Sequence, residues 1–110
     1  MPKKILILAD QKAKRISHKR SLEKVRQNSE FTLVKSFEQA VDAIEKENFS
    51  LIVLDTEICD AGKHRTRSKA IQELKEKSRN CPIVSVGTEI NHVITALKDG
   101  ADGFIPIRWL

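Results

Sequence analysis

Two aspartates follow short apolar runs that have the length of buried strands. Asp10 comes directly after the run at residues 5–9, and Asp55 follows the run at residues 51–54. Two carboxylates at neighbouring strand ends form a hard-oxygen site suited to Mg²⁺, which binds one or two carboxylates together with waters and a phosphate oxygen. A carboxylate held beside a divalent ion can also attack phosphorus and become an acyl phosphate. The structural alternative is that Asp10 caps the first helix and Asp55 only ends a strand.

The apolar runs that carry these aspartates are continuous rather than alternating. A strand with apolar residues on both faces must be covered on both faces, which is typical of a parallel sheet between two layers of helices. Pro106 has no backbone N–H to donate, so the last strand is expected at an edge of the sheet. The other predicted strands cover residues 31–34, 83–86 and 104–107.

Four helical segments alternate with the strands. Ser36 has capping-box spacing to Gln39, and Gly100 is a stop signal for the fourth helix. The first helix, residues 13–26, has a thin apolar stripe, because Leu22 and Val25 share a face with polar neighbours beside them. The apolar positions that define the other three helices are Ala40, Val41 and Ile44, then Ile71 and Leu74, then Val93, Ile94 and Leu97.

This alternation predicts a doubly wound α/β fold with right-handed crossovers, in one domain over residues 1–110. We expect a five-stranded parallel sheet of the flavodoxin type, with strand order 2-1-3-4-5. Ligands of such sheets bind beyond the carboxyl ends of the strands, where the strand order reverses. Asp10 and Asp55 would meet at that point, which favours the functional interpretation of the pair, and no lysine or arginine is expected opposite them.

The composition excludes several classes of protein. The chain has 110 residues, a net charge of +5 and 40% hydrophobic residues, so one ordered domain is expected. No apolar run reaches the roughly 20 residues of a membrane span, and the run behind the basic start is too short for a secretion signal. Cys59 and Cys81 form no metal-binding or disulfide pattern, which favours the cytoplasm. His18, His64 and His92 are interpreted as surface or helix residues rather than ligands.

The basic residues form two blocks around an acidic middle. Residues 1–30 carry nine basic and three acidic side chains, residues 31–62 two and seven, and residues 63–80 seven and two. Such blocks can bind a polyanion, and a nucleic-acid-binding module is therefore one alternative function. Two solvated helix faces explain the same pattern, and no aromatic residue is interleaved for base stacking.

Three segments resemble the receiver domain of bacterial two-component response regulators. They are KILILAD at residues 4–10, LIVLD at 51–55 and ALKDGADGF at 96–104, of which the last is the most specific. The resemblance extends over nearly the whole chain. By this resemblance Asp55 matches the phosphoacceptor, and Asp10 matches the acidic residue that ligates Mg²⁺. Glu57 stands where the family offers a backbone carbonyl to the metal, and Phe104 matches the aromatic switch residue.

The chain departs from the family at several positions of the pocket. Ala9 replaces one of two acidic residues after the first strand. Gly87 stands where the family has a Thr or Ser hydroxyl, and Thr88 is shifted by one residue, which normally turns a side chain away. Ile107 replaces the lysine that pairs with the phosphoryl group, and an alkyl side chain cannot stabilise developing negative charge.

These departures predict a degenerate receiver, or pseudo-receiver, that is not an enzyme and in which phosphate-driven switching is weak or absent. Its expected partners are a histidine kinase or an output domain, bound near Phe104. The alternative within signalling is a functional phosphoacceptor in which Asp55 is modified. Receivers continue with a fifth helix, whereas this sequence ends three residues after Ile107. Without that helix, part of one sheet face would be exposed. Two explanations are open: the natural chain is longer, or the exposed face is covered by Trp109 or by a second copy in a homodimer.

Overall fold

The structure is a computed structural model that describes residues 3–25, 28–55, 67–87, 94 and 97–106. Within these residues eight elements follow one another along the chain. Ile94 and residues 97–99 are helical as well, where the fourth helix is predicted. The elements are β1 (Lys3–Leu8), α1 (Lys12–Val25), β2 (Ser29–Val34), α2 (Phe37–Lys46), β3 (Leu51–Asp55), α3 (Arg67–Lys77), β4 (Ile83–Gly87) and β5 (Gly103–Pro106).

The strands form one parallel sheet in the order β2-β1-β3-β4-β5, which confirms the predicted topology. β1 lies beside both β2 and β3, so the strand order reverses there. Pro106 ends β5, which pairs with β4 alone among the described strands. Proline has no backbone N–H to donate, and at this edge position no neighbouring strand requires that hydrogen bond. No helix in the described ranges is long and apolar enough to cross a membrane.

Two clusters of apolar side chains cover the two faces of the sheet. The larger cluster packs α2 and α3 against one face, and it includes Leu6, Leu8, Ile52 and Leu54. The smaller cluster lies on the other face, beneath α1. It consists of the buried residues Ile5, Ile7, Leu22, Val53 and Val86, with Phe31, Leu51 and Ile105 partly buried against it.

The start of α2 follows the predicted capping box. Ser36 has extended backbone angles, and its hydroxyl accepts a hydrogen bond from the backbone N–H of Gln39. The Gln39 side chain accepts in turn from the backbone N–H of Lys35. Phe37, Ala40 and Ile44 are the buried residues of this helix, as the apolar spacing of the last two predicts.

The segment before β5 shows why its sequence is distinctive. Gly100 has a φ of 95°, a left-handed conformation that ends a helix without the strain a Cβ would bring. The two carboxylate oxygens of Asp102 accept hydrogen bonds from the Lys75 ammonium at 2.7 Å and from the Ile83 backbone N–H at 2.9 Å. The Asp102 backbone N–H also donates to the Ile83 carbonyl at 2.8 Å. The turn before β5 is therefore hydrogen-bonded both to α3 and to the start of β4.

Candidate functional site

The carboxyl ends of β1 and β3 lie side by side, as the sequence predicts. Leu8 is level with Leu54 in the register, so Ala9 and Asp10 leave the sheet beside Asp55. The Ala9 backbone N–H still donates to the Val34 carbonyl of β2 at 3.2 Å, which holds this end of the chain against the sheet. Both aspartates thus belong to the same edge of the sheet.

The surroundings of the two aspartates differ sharply. Asp10 is exposed, whereas Asp55 is only 1% exposed. Successive side chains of a strand alternate between faces, so Asp55 shares the face of Val53, which is the face that α1 covers. The phosphoacceptor position therefore carries a carboxylate that is enclosed beneath a helix.

One group that contacts this carboxylate is the imidazole of His18, on α1. Its Nε2 lies 2.9 Å from Oδ2 of Asp55, and the His18 residue is 2% exposed. His18 and Leu22 are four residues apart and share the inward face of the helix, where both are buried. The sequence interpretation left His18 as an isolated helix residue, and the structure corrects this by joining it to the candidate acceptor.

The chemistry of this pair follows from its burial. When the carboxylate is ionised it can only accept, and the hydrogen bond is then donated by the Nε2–H of His18. A buried carboxylate without a partner is costly, and the imidazole N–H supplies a strong hydrogen bond in a site with little water. The contact therefore holds Asp55 in place and occupies one of its two carboxylate oxygens.

An arginine reaches the neighbouring end of β1. The guanidinium Nη1 of Arg15 donates to the carbonyl oxygen of Ala9 at 2.8 Å. This carbonyl belongs to the residue just before Asp10, so a cationic side chain of α1 lies at the carboxyl edge of the sheet. No lysine or arginine was expected opposite the two aspartates; the contact of Arg15 at this edge is made to a backbone carbonyl.

The described residues do not by themselves assemble a site for a divalent metal ion. Of the three predicted ligands, Asp10 is exposed, Asp55 is buried with one oxygen bound to an imidazole, and Glu57 lies outside the described residues. No group of three or more histidine, cysteine or acidic side chains that could hold a metal occurs in the described part of the chain.

The predicted switch positions are described only in part. Gly87 is buried at the end of β4 and is level with Pro106 of β5. Phe104 is half-buried on β5 and is level with Ser85, which places it on the sheet face that α2 and α3 cover. Thr88 and Ile107 lie outside the described residues.

The two basic blocks lie on different sides of the sheet in the part that the structure describes. Lys12, Arg20 and Lys24 are exposed on α1, which packs on one face through Leu22. Lys69 is on α3, which packs on the opposite face. These helix residues therefore do not form one continuous basic surface.

Solved structures similar to this chain are receiver domains. A response regulator from Burkholderia pseudomallei, with a phosphorylated aspartate and a calcium ion, matches with a TM-score of 0.71 and 20% identity over 94% of this chain and 59% of its own length. A chemotaxis response regulator of Vibrio cholerae matches with a TM-score of 0.73 and 17% identity over 96% of this chain and 87% of its own.

A third match is the receiver domain of a sensor histidine kinase from Pseudomonas aeruginosa, with magnesium in its active-site cleft. It has a TM-score of 0.74 and 19% identity over 96% of this chain and 85% of its own. No protein-family model matches the sequence, and no curated protein matches it significantly. The fold is thus that of response-regulator receiver domains. This chain spans about three fifths of the Burkholderia protein.

Proposed function

We propose that this chain is a receiver-type signalling module that acts by binding another protein and has lost phosphate-driven switching. The observation that carries the proposal is the burial of Asp55, which is 1% exposed beneath α1 at the acceptor position. Transfer of a phosphoryl group requires an incoming donor to reach a free carboxylate oxygen in line with its leaving group. A carboxylate that is enclosed and hydrogen-bonded does not meet this requirement.

The surrounding positions support the same proposal. A phosphoryl-driven switch needs contacts that differ between the modified and unmodified states. Gly87 has no hydroxyl to hold a phosphoryl oxygen, and the lysine of the family is replaced by Ile107 in the sequence. Mg²⁺ or Ca²⁺ is present in the solved neighbours, but the described residues of this chain do not assemble the equivalent site.

The binding surface we propose is the one around the fourth helix and β5. Ile94 and Leu97 lie three residues apart in helical segments and are 53% and 60% exposed. Phe104 is half-buried on β5. Exposed apolar side chains at helical spacing are typical of surfaces that bind other proteins. The partner would be a histidine kinase or an output domain in the cytoplasm, and the single domain would have no enzymatic activity of its own.

Mass spectrometry of the intact protein tests the loss of phosphorylation. The wild type and Asp55→Ala are incubated with an acyl phosphate and Mg²⁺, and their masses are compared. We expect no adduct on either protein. A single phosphoryl group on the wild type that is lost in Asp55→Ala would refute the proposal and establish a functional phosphoacceptor.

A further inference from the structure

The strand β2 ends the sheet on the side opposite β5. Among the described strands it pairs with β1 alone, over all six of its residues and without a bulge. It contains no proline and no lysine, two residue types with which natural edge strands avoid further pairing. β2 therefore presents a regular edge to which another strand can add.

The backbone of β2 alternates between residues that bond to β1 and residues that point to the open side. The N–H of Lys3 donates to the carbonyl of Asn28 at 3.3 Å. The N–H of Ala9 donates to the carbonyl of Val34 at 3.2 Å, so the even-numbered residues face β1. In a parallel ladder the intervening residues turn both their N–H and their C=O away from that neighbour. The outward residues of β2 are Ser29, Phe31 and Leu33.

A cleft lies beside this edge, between β2 and α2. Its volume is about 600 Å³, and Thr32 and Val34 line it from the strand. We call it the edge cleft. On the other side of β2, Leu33 is level with buried Ile7 and is itself 36% exposed. Because the side chains of a strand alternate, an added strand would place every second side chain in the edge cleft and the others beside Leu33.

The charges around the edge cleft favour a basic side chain in it. Asp42 lines the cleft, and Glu30 lies on the same side of β2 by the alternation of the strand. Both are exposed, and neither forms an ion pair within the described residues. Glu47 also lines the cleft but is paired with Lys4 at 3.1 Å. Lys46 is a lining residue too, so two unpaired carboxylates stand against one ammonium.

We propose that the β2 edge and the edge cleft bind an extended peptide segment of a partner protein, in which apolar residues alternate with lysine or arginine. The segment adds to the sheet as a strand, with its apolar side chains beside Leu33 and its cations in the cleft near Asp42. This surface is at the opposite edge of the sheet from the one proposed around the fourth helix and β5. It is therefore a second binding site, which does not rest on the state of Asp55.

A second copy of this chain fits the same edge less well. Two β2 edges that pair antiparallel are related by a twofold axis normal to the sheet, which puts both α1 helices on one face. α1 contacts β2 and carries six basic side chains and one acidic side chain. Like charges would therefore meet across the joint, which disfavours self-pairing and leaves the edge to a different chain.

The probe is a synthetic peptide of about seven residues in which valine and lysine alternate, a length typical of a strand. Fluorescence anisotropy measures its binding to the full chain. We expect saturable binding, and binding at least tenfold weaker when glutamate replaces lysine in the peptide. Failure of the lysine peptide to bind, or equal binding of the two peptides, would overturn the proposal.

Backbone methylation of the peptide tests strand addition without any change in the protein. Methyl groups on the nitrogens of the valines, or on those of the lysines, remove the hydrogen-bond donors from one edge of the peptide at a time. We expect one methylated peptide to bind at least tenfold more weakly and the other to bind as the parent does. Equal affinity of the two methylated peptides contradicts the addition of a strand.

Variants of the edge test the backbone separately from the side chain. Leu33→Pro removes an outward N–H and leaves the hydrogen bonds to β1 in place. We expect its affinity to fall at least tenfold, whereas Leu33→Ala keeps the N–H and should lose no more than about threefold. Leu97→Ser, on the surface around the fourth helix, should bind as the wild type does. Equal affinity of Leu33→Pro and Leu33→Ala argues against the edge. If Leu33→Pro does not fold, as judged by circular dichroism, the methylated peptides decide the point.

Charge variants of the edge cleft should act in opposite directions. We expect Asp42→Asn to weaken binding of the lysine peptide and Lys46→Gln to strengthen it, each by about two- to fivefold. Changes of the same sign in both variants would show that the cleft does not hold the cations.

Sedimentation of the wild type tests the competing occupant. We expect a monomer, and a dimer that Leu33→Pro dissociates would overturn the proposal by assigning the edge to a second copy. The outcomes also separate this inference from the proposed function. A phosphoryl group on Asp55 refutes the proposed function and leaves peptide binding unchanged, whereas loss of peptide binding leaves the silence of Asp55 as proposed.

Discussion

Nε2 of His18 lies 2.9 Å from Oδ2 of Asp55, although the two residues are 37 positions apart in the chain. The bond joins α1 to the central strand β3. Among the side chains of α1 that the structure describes, Leu22 is the one that belongs to the buried residues of the apolar cluster beneath the helix. A polar contact therefore carries part of the attachment that apolar packing usually provides in an α/β fold.

Removal of the carboxylate should destabilise the fold. In Asp55→Ala the buried imidazole loses this partner, and we expect the free energy of unfolding to fall by about 2–3 kcal/mol. Urea denaturation followed by circular dichroism measures the change. Asp10→Ala serves as the control, because Asp10 is exposed and its removal should change stability by less than about 0.5 kcal/mol.

The same contact should make the two substitutions non-additive. We expect His18→Ala combined with Asp55→Ala to be less destabilising than the sum of the single changes, by about 1–2 kcal/mol, since neither group is then left without its partner. A double-mutant cycle built from the urea midpoints gives this coupling energy. Coupling within about 0.3 kcal/mol of zero would show that the hydrogen bond has no net effect on stability.

The fold could be predicted from the sequence, whereas this contact could not. Continuous apolar runs before Asp10 and Asp55 indicate parallel strands, because only burial on both faces explains them. The face on which Asp55 lies depends on the register of β3 with the neighbouring strands. The rotation of α1 about its axis depends on which of its weakly apolar faces packs against the sheet. His18 four residues before Leu22 was the available signal, but a lone histidine beside polar residues is usually exposed.

The N-cap of α2 provides a test of local stability. Ser36→Ala removes the hydroxyl that accepts from the Gln39 backbone N–H, and we expect a loss of about 1 kcal/mol in unfolding free energy. Ser36→Asp should retain most of the stability, because a carboxylate accepts the same bond and is favoured at a helix N-terminus. Thermal denaturation of both variants decides the point. Equal stability of the two variants would show that the cap contributes little.

The Asp102 carboxylate should make the stability of the fold depend on pH in the acid range. The Lys75 ammonium, followed by the Ile83 backbone N–H, lowers the pKa of Asp102 below its usual range. A lowered pKa in the folded state contributes stability above the unfolded pKa of about 4, and this stability is lost as the pH falls through the folded pKa. The side chain is 44% exposed, so water screens the ion pair and we expect about 0.5–1 kcal/mol.

Asp102→Asn removes this titration and isolates it from the other carboxylates. The stability difference between the wild type and this variant should be largest near neutral pH and should shrink as the pH falls below 4. Urea unfolding at a series of pH values measures the difference. A difference that is constant across the series would mean that the aspartate acts through shape and not through charge.

The Cys81 thiol should make the stability of the fold decrease as the pH rises in the alkaline range. Burial, and then the negative charge of Asp102, raise the pKa of the Cys81 thiol. The folded state thus holds the thiol proton more tightly than the unfolded chain, whose thiol has a pKa of about 8.5. The contribution of Cys81 to stability is present below that value and is lost as the pH rises above it.

The titration of Cys81 can be followed in the variant Cys59→Ser, which leaves one thiol in the chain. We expect the thiolate absorbance to rise at a higher pH in the folded protein than in urea, and iodoacetamide to react with the folded protein at least tenfold more slowly at pH 8. The Sγ–H donates to the Phe49 carbonyl at 3.2 Å, and this contact must also open before the thiol reacts. Coincident titrations in the two states would contradict the burial of the thiol as the cause.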